Sequence, residues 1–474
     1  MDGVTKKRTM RVMDMTEGKP ARLILTFAVP LFIGNIFQQI YSMVDTMVAG
    51  YNLGDNAIAA IGATSALYGL LVNFAWGMNS GYAIVVTQRF GAHDEAKLRE
   101  SIAGMMKLDM TVTAILTALS LIFLKPLMRF MNIPNAIFTE SYSYIFIICA
   151  GMVFTIGYNM FAGILRAMGN SRTSLYFLIL SSLLNIGLDV LFIMVLEMGV
   201  AGAALATVIA EIASAVLCGI YVYHNYRPFL PGRRDFRVTR ETYSELFSQG
   251  LAMGMMLCAV DIGSVIFQRA NNGLGEMIIS AHTASRRIIS IMMMPLSTIA
   301  SSSSTFVGQN WGAKKTDRIK SALKQVMGME IVWGLFTCAI VYAFGGVLVR
   351  LTTGTTDAGI VDNAVMSLRW HFAFFPVLGC LLALRTAMQA MGKKKAPVIS
   401  SCVELGMKVL SAMFLIPRFG FLGTSITEPV TWVFMLTFLV VVFMLQRKGM
   451  FACGRYKELF SEVIEVRTKE KCHT

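Results

Sequence analysis

Residues 30–50 read PLFIGNIFQQIYSMVDTMVAG, an apolar run in which Asp45 is the only charged residue. A helix of about 20 such residues crosses the hydrocarbon core of a bilayer. Eleven more runs of this kind occur along the chain, so the sequence predicts twelve transmembrane helices. Their predicted limits are 23–50, 57–87, 101–125, 140–163, 174–197, 200–223, 245–270, 277–307, 323–350, 361–388, 396–417 and 422–445.

The composition of the whole chain also indicates a membrane protein. Of its 474 residues, 55% are apolar and only 15% are charged, whereas a soluble domain carries about 25% charged residues. The net charge of +14 comes from short basic clusters between the apolar runs, which is typical of cytoplasmic loops rather than of a nucleic-acid surface. The eight cysteines form no CxxC pair. We therefore expect packing roles for them, with no metal site and no nucleic-acid partner.

Basic residues are unevenly distributed between the two sides of the predicted membrane. The loops opposite the termini hold only Lys125, Arg129, Arg350 and Arg418, whereas the other basic loop residues lie on the side of the termini. Because cytoplasmic loops are enriched in Lys and Arg, we expect both termini in the cytoplasm and the protein in a bacterial cytoplasmic (inner) membrane. The polar N-terminal segment has no short apolar core of a signal peptide, so we expect no cleaved leader.

The chain repeats itself after about 221 positions. Gly54, Ile58, Ala60 and Ala63 then fall on Gly275, Ile279, Ala281 and Ala284, and Gln88, Gly91 and Ala92 fall on Gln309, Gly312 and Ala313. Six helices in each half give both halves the same orientation, a parallel repeat that is typical of transporters with a substrate site near the membrane midplane. The fold class expected is an all-α membrane protein of two pseudo-symmetric six-helix bundles. The predicted segments are a cytoplasmic tail (1–22), a first lobe (23–223), a cytoplasmic linker (224–244), a second lobe (245–445) and a cytoplasmic tail (446–474).

Polar side chains follow one face of three helices in the first lobe. Their spacing is i,i+4: Tyr41 with Asp45, Asn185 with Asp189, and Thr207 with Glu211. Charged groups in a membrane are costly unless they are paired, hydrated or neutralised, so we expect these stripes to converge inside the lobe. Two carboxyl groups in one apolar pocket do not both ionise at low cost, so they would bind H⁺ or Na⁺. A hydrogen-bonded packing network is the alternative.

The second lobe departs from this pattern. In the repeat, Ser181, Asn185 and Thr207 correspond to Glu404, Lys408 and Glu428. We predict a buried structural contact between Lys408 and Glu428, with Glu404, one helical turn away, as the rival partner of Lys408. Such a neutralised pair would leave ion binding to the first lobe.

Several other residues are candidates for function, with a packing role, the more common one for methionine and a lone histidine in a span, as the alternative. Asp261 is a candidate for a secondary cation site because it lies within a predicted span. The substrate-cleft candidates are Met253, Met256, Met292 and His371, since methionines form an adaptable apolar wall. Pro30 lies on the same helix as Asp45 and predicts a kink there.

Several stretches of the chain resemble one transporter family, the multidrug and toxic compound extrusion (MATE) family. They are residues 30–50, quoted above, QRFGAHDEAKLR (88–99) with its echo GQNWGAKKTDRIK (308–320), RAMGNSRTSLYFLILSSLLNIGLDVLFI (166–193) and GVAGAALAT (199–207). The resemblance covers about residues 15–445 and is strongest to the bacterial branch of DinF-type and Firmicutes drug exporters.

The resemblance implies roles for particular residues. It places the cation-coupling network at Tyr41, Asp45, Asn185, Asp189 and Thr207, and the family's helix-1 proline at Pro30. Another branch of the family uses a helix-7 glutamate and a helix-10 aspartate; here the nearest helix-7 acid is Asp261, and helix 10 has no aspartate after Asp362. A second-lobe cation site is therefore not supported.

The function expected is secondary antiport, the export of organic cationic or amphipathic drugs and toxins in exchange for H⁺ or Na⁺, with alternating access between the lobes. The chain would act as a monomer in the lipid bilayer, without a cofactor other than the coupling ion. The alternative is a flippase or exporter of lipid-linked saccharides, which a cleft rich in Arg and Lys would favour. The sequence has no HExxH, GxSxG or Walker motif, so we expect neither a membrane enzyme nor direct use of ATP.

Overall fold

A computed structural model describes residues 12–131 and 133–470, and within these ranges the chain is helical with no β-strand. Residues 1–11 of the predicted tail 1–22 and residues 471–474 of the predicted tail 446–474 lie outside the described residues. The helices are α1 (Pro20–Leu53), α2 (Asp55–Gly91), α3 (Glu95–Phe130), α4 (Asn135–Ala167), α5 (Ser171–Asp189), α6 (Gly199–Asn225), α7 (Arg240–Asn272), α8 (Glu276–Gly312), α9 (Thr316–Thr353), α10 (Ala358–Ala373), α11 (Phe375–Ala390), α12 (Lys395–Leu410), α13 (Ile416–Phe419) and α14 (Phe421–Glu470).

The helices match the predicted spans, which confirms the all-α membrane fold. Among the described residues, ten helical segments are long and apolar enough to cross a membrane, and the bent pair α10 and α11 brings the number to 11. The remaining predicted span is α8, which is 37 residues long. Arg286, Arg287 and a run of serines lower its hydropathy, so charge rather than length sets it apart.

Three predicted spans are interrupted. The predicted span 361–388 is two helices, α10 and α11, which meet at Phe374 with a bend of 50°. Pro376 lies in the first turn of α11, where its missing N–H and fixed φ fit a helix start. The other two interruptions are short π-helical segments, Val190–Val195 after α5 and Ser411–Leu415 after α12. They occupy corresponding positions in the repeat, and π-segments often occur at functional sites.

The contacts divide the chain into two compact units, Met1–Ile262 and Gly263–Thr474. The boundary lies inside α7, later in the chain than the predicted linker. Most of α7 belongs to the first unit because it packs closely on α2. A Cβ placed on Gly81 would lie 2.6 Å from the Gly250 Cα, and one on Gly77 would lie 2.8 Å from the Gly254 Cα. The small-xxx-small spacing of Gly77 and Gly81 is therefore a helix-packing surface.

The start of α5 is fixed by hydrogen bonds that orient the rest of that helix. Gly169 has a φ of 80°, which a residue with a side chain rarely adopts. Asn170 then caps the helix, since its Oδ1 accepts from the Thr173 N at 3.0 Å. Its Nδ2 also donates to the Tyr226 hydroxyl at 2.7 Å. The cap thus ties α5 to the end of α6, and both helices carry side chains of the predicted site.

Candidate cation-coupling site

Asp189 is the most enclosed group of the predicted network. It is the last residue of α5, directly before the π-helical segment, and its side chain is fully buried. The Asn185 amide, oriented to satisfy its neighbours, donates from Nδ2 to the Asp189 Oδ2 at 3.0 Å. The Asn185 Oδ1 then accepts two hydrogen bonds from Thr207, one from the backbone N at 3.0 Å and one from the hydroxyl Oγ1 at 3.3 Å. Asn185 on α5 therefore links Thr207 on α6 to the Asp189 carboxyl group and so joins the two helices.

Asp45 approaches Asp189 from α1. The two carboxyl side chains are direct electrostatic neighbours, and Asp45 is half-buried whereas Asp189 is inaccessible. A hydrogen bond between two carboxyl groups requires a proton on one of them, because two carboxylates offer only acceptors. The arrangement can therefore hold one H⁺, or a Na⁺ between the oxygens, and Asp45 is the group on the accessible side.

Hydroxyl groups surround the two aspartates. Tyr41, one turn before Asp45, is an electrostatic neighbour of Asp45, Asp189 and Glu211. Tyr144 on α4 is a neighbour of the same three acids. The structure thus brings together all five residues of the predicted network, Tyr41, Asp45, Asn185, Asp189 and Thr207, and adds groups from α4.

The contribution of α4 was missed by the sequence reasoning. The Thr155 hydroxyl donates to the Glu211 carboxylate, so α4 fixes the acid of α6. Tyr144 and Thr155 are 11 residues apart, about three helical turns, and therefore share one face of α4. That spacing is the signal in the sequence that would have revealed them.

The second unit contains a cluster of opposite charges, which we call the charge cluster: Arg286, His371, Arg385, Glu404, Lys408 and Glu428. The Arg286 Nη1 donates to both oxygens of Glu428 at 2.8 Å. The His371 Nε2 lies 3.3 Å from Oε2 of the same carboxylate, and its Nδ1 lies 2.8 Å from the Ser367 carbonyl oxygen. His371 is thus a buried partner of Glu428.

Lys408 contacts Glu404 rather than Glu428, which corrects the predicted pair. The Lys408 Nζ lies 3.0 Å from the Glu404 Oε1 and 3.2 Å from the Ser264 Oγ. Glu404 is one turn before Lys408 on α12, so the pair forms within one helix. The Glu428 carboxylate is paired with Arg286 instead. The repeat did not indicate this pair, because the counterpart of Arg286 in the first half is Ser65.

One family model, MatE, matches the chain twice, over residues 30–191 and 252–414. The chain belongs to the MatE family. The two matches also bear out the internal repeat. Among curated relatives, the probable multidrug resistance protein YpnP of Bacillus subtilis is 27% identical over 392 residues, 81% of this chain and 85% of YpnP. The multidrug export protein MepA of Staphylococcus aureus is 22% identical, and the match covers 85% of this chain and 88% of MepA.

Solved structures of the family share the fold of this chain. A crystal structure of MATE in the bent conformation superposes with a TM-score of 0.85, at 20% identity, over 93% of this chain and 98% of that one. The likeness extends across both matched repeats, so the chain shares the fold of these solved structures.

The other candidate residues of this MatE protein lie in varied surroundings. The Asp261 Oδ2 accepts from the Asn73 Nδ2 at 2.9 Å, a contact between α7 and α2 next to the glycine packing surface. Met256 is buried, whereas Met253 and Met292 are half-buried. Pro30 is buried in α1, which continues as one helix from Pro20 to Leu53.

Two more buried acids were missed by the sequence reasoning. Asp109 on α3 is 5% exposed and accepts from the Asn79 Nδ2 at 2.8 Å. Glu330 on α9 is fully buried, and neither of its carboxyl oxygens has a hydrogen-bond partner among the described residues. The two acids are 221 positions apart, the period of the repeat. Their matching positions in the two halves were the available signal.

The different surroundings of these acids predict opposite effects on stability. We expect Glu330→Met to raise the free energy of unfolding by about 1–3 kcal/mol, because it removes an unsatisfied buried polar group while keeping the volume. Asp109→Leu should lower it by a similar amount, since it leaves the Asn79 amide unpaired. Thermal unfolding of the purified variants in one detergent measures both. Equal shifts of the same sign would contradict this account.

Proposed function

We propose that the protein is a secondary antiporter of a bacterial cytoplasmic membrane that exports organic, mostly cationic and amphipathic compounds in exchange for H⁺ or Na⁺. The observation that carries the proposal is the neighbouring acid pair Asp45–Asp189 inside the first unit, of which Asp189 is fully buried and bound by Asn185. The names of YpnP and MepA, which describe multidrug resistance and export, support the substrate class. The chain would work as a monomer with both termini in the cytoplasm.

The proposed cycle links the coupling ion to drug release. The ion enters through Asp45, the half-buried member of the pair, and neutralises the charge shared with Asp189. Neutralisation removes the repulsion between the two carboxyl groups and changes how α1 packs on α5, with Pro30 as a weak point of α1. A drug bound better to the deprotonated state is then released, because two ligands with opposite state preferences compete.

Export of lipid-linked saccharides is the second candidate function. Arg286, Arg385 and Lys408 of the charge cluster favour it, because such substrates carry phosphate groups that arginine and lysine bind. The cluster also contains Glu404 and Glu428, which neutralise part of this charge.

Uptake of a cationic dye into inverted vesicles, the direction in which an exporter works there, tests the proposal. We expect dye movement when a proton gradient or a sodium gradient is imposed, and the gradient that drives it identifies the coupling ion. Vesicles containing Asp45→Asn/Asp189→Asn protein serve as the control for leakage. Dye movement that follows neither gradient, or only added ATP, would contradict secondary antiport.

A further inference from the structure

The charge cluster of the second unit has more positive than negative charge. Arg286, Arg385 and Lys408 are cations, whereas Glu404 and Glu428 are the acids, so one positive charge is left over before His371 is counted. The Ser411 and Thr427 hydroxyls share a hydrogen bond between the π-segment after α12 and α14. Because Ser411 follows Lys408 by one turn and Thr427 adjoins Glu428, this bond brings the Lys408–Glu404 group close to the Arg286–Glu428 group.

Arg286 is the member of the cluster that is open to a ligand. Only its Nη1 is engaged, on Glu428, and within the described part of the chain its Nε and Nη2 make no hydrogen bond. Its side chain is 42% exposed, whereas that of Glu428 is 11% exposed. The edge formed by Nε and Nη2 is the geometry that binds a carboxylate or phosphate with two parallel hydrogen bonds.

The surroundings of Arg286 indicate a water-accessible pathway. An arginine within a membrane helix is costly when it faces lipid, and such residues mark substrate or ion pathways. Glu428 holds the guanidinium in place from the buried side, so its orientation is fixed before any ligand arrives. His371 supports Glu428 from α10 and is itself held by the Ser367 carbonyl.

The network in the first unit has the opposite polarity. There, Asp45, Asp189 and Glu211 meet hydroxyl and amide groups. The first unit therefore favours a cation, whereas the free guanidinium edge of the second unit favours an anion.

We infer that Arg286 is the anchor of an oxyanion subsite, which binds the carboxylate or phosphate group of an amphipathic substrate. This inference rests on the proposed export function and adds that, among its amphipathic substrates, compounds with an anionic group, alone or together with a cationic one, bind best. Glu428 and His371 are positioning residues, because they act through Arg286.

Binding of two matched dyes to the purified full-length protein tests this subsite. The probes are a rhodamine carboxylic acid, which is zwitterionic, and its methyl ester, which is only cationic. We expect wild-type protein to prefer the acid and Arg286→Gln to reduce the acid-to-ester affinity ratio about tenfold or more, the effect of losing a charge-assisted bidentate contact. Arg286→Lys should restore part of the affinity ratio, since lysine keeps the positive charge but lacks the two parallel N–H donors of the guanidinium.

Two variants control for damage to the fold. Arg287→Gln removes the neighbouring, exposed arginine of α8 and should leave the affinity ratio within about twofold of wild type. Arg286→Gln/Glu428→Gln avoids an unpaired buried carboxylate and should show the same lost preference as the single variant. An unchanged ratio in both the Arg286→Gln protein and this double variant would overturn the inference.

Transport and competition separate this inference from the proposed function. If neither dye moves with an ion gradient although the binding preference depends on Arg286, the export function fails and the subsite stands. If both dyes move equally well in wild type and in Arg286→Gln, and their affinities are also unchanged, the subsite fails and export stands. Displacement of the acid dye by a prenyl phosphate would identify a lipid headgroup as the source of the oxyanion, and failure to displace it would identify a drug carboxylate.

Discussion

Asp189→Asn is expected to abolish ion-driven drug accumulation while leaving the protein folded. A proton gradient of one pH unit supplies about 1.4 kcal/mol per proton, enough to sustain a tenfold drug gradient for each proton exchanged. The asparagine cannot carry that proton, so the sustained gradient should fall to the leak level. Asp45→Asn should do the same, because Asp45 is the other acid of the neighbouring pair.

The measurement is steady-state accumulation of a cationic drug in inverted vesicles at a fixed pH difference. Asp362→Asn provides a matched control, since Asp362 is an exposed acid of α10 and should keep wild-type accumulation. Full accumulation in both Asp45→Asn and Asp189→Asn would remove these residues from the coupling mechanism. If the Asp362→Asn protein also lost drug accumulation, the loss would reflect a general effect of removing a negative charge rather than a role of the pair.

The first-unit network was predictable because its signal is local. Asn185 and Asp189 are four residues apart, so one helix face carries both, and an acid in an apolar run has to find a polar neighbour. The sequence also indicated that α5 and α6 meet, since Thr207 starts a matching polar stripe on α6, the next helix. The resemblance to the family assigned the same residues. It did not indicate that Asp189 precedes a π-segment, because that distortion depends on packing around α5.

The second-unit contacts were less predictable because they depend on competition between partners. Repeat symmetry placed Lys408 opposite Glu428, and the contact would form if no other cation were near. Arg286, which has a serine at the matching position of the first half, occupies Glu428 instead. Symmetry thus indicates which helices are adjacent but not which of several charges pairs with a given carboxylate.

Buried groups without a periodic stripe escaped the sequence analysis altogether. Glu330 is one acid in a long helix, and its enclosure depends on Gly379 of α11, where an added Cβ would lie 2.6 Å from the Glu330 Cβ. The two helices are separated by many residues in the chain, and the sequence of either helix alone does not indicate that they approach each other so closely.

Gly81→Ala is expected to weaken the packing of α2 on α7 and to impair transport. The new Cβ would lie 2.6 Å from both the Gln249 carbonyl oxygen and the Gly250 Cα. Because both are backbone atoms, the helices must separate, and overpacking of this kind costs about 1–3 kcal/mol. The separation would also disturb the nearby Arg89–Glu245 ion pair, which joins the same two helices.

Gly69→Ala is the matched control on the same helix. No described atom lies within 4 Å of a Cβ placed on Gly69, so this change should keep or slightly raise stability, as alanine favours a helix over glycine. Thermal unfolding in detergent and dye efflux should therefore separate the two variants, with only Gly81→Ala losing both. Equal behaviour of the two alanine variants would show that the close contact at Gly81 does not hold α7 on α2. The packing of these helices would then depend on the Arg89–Glu245 ion pair and the Asn73–Asp261 hydrogen bond.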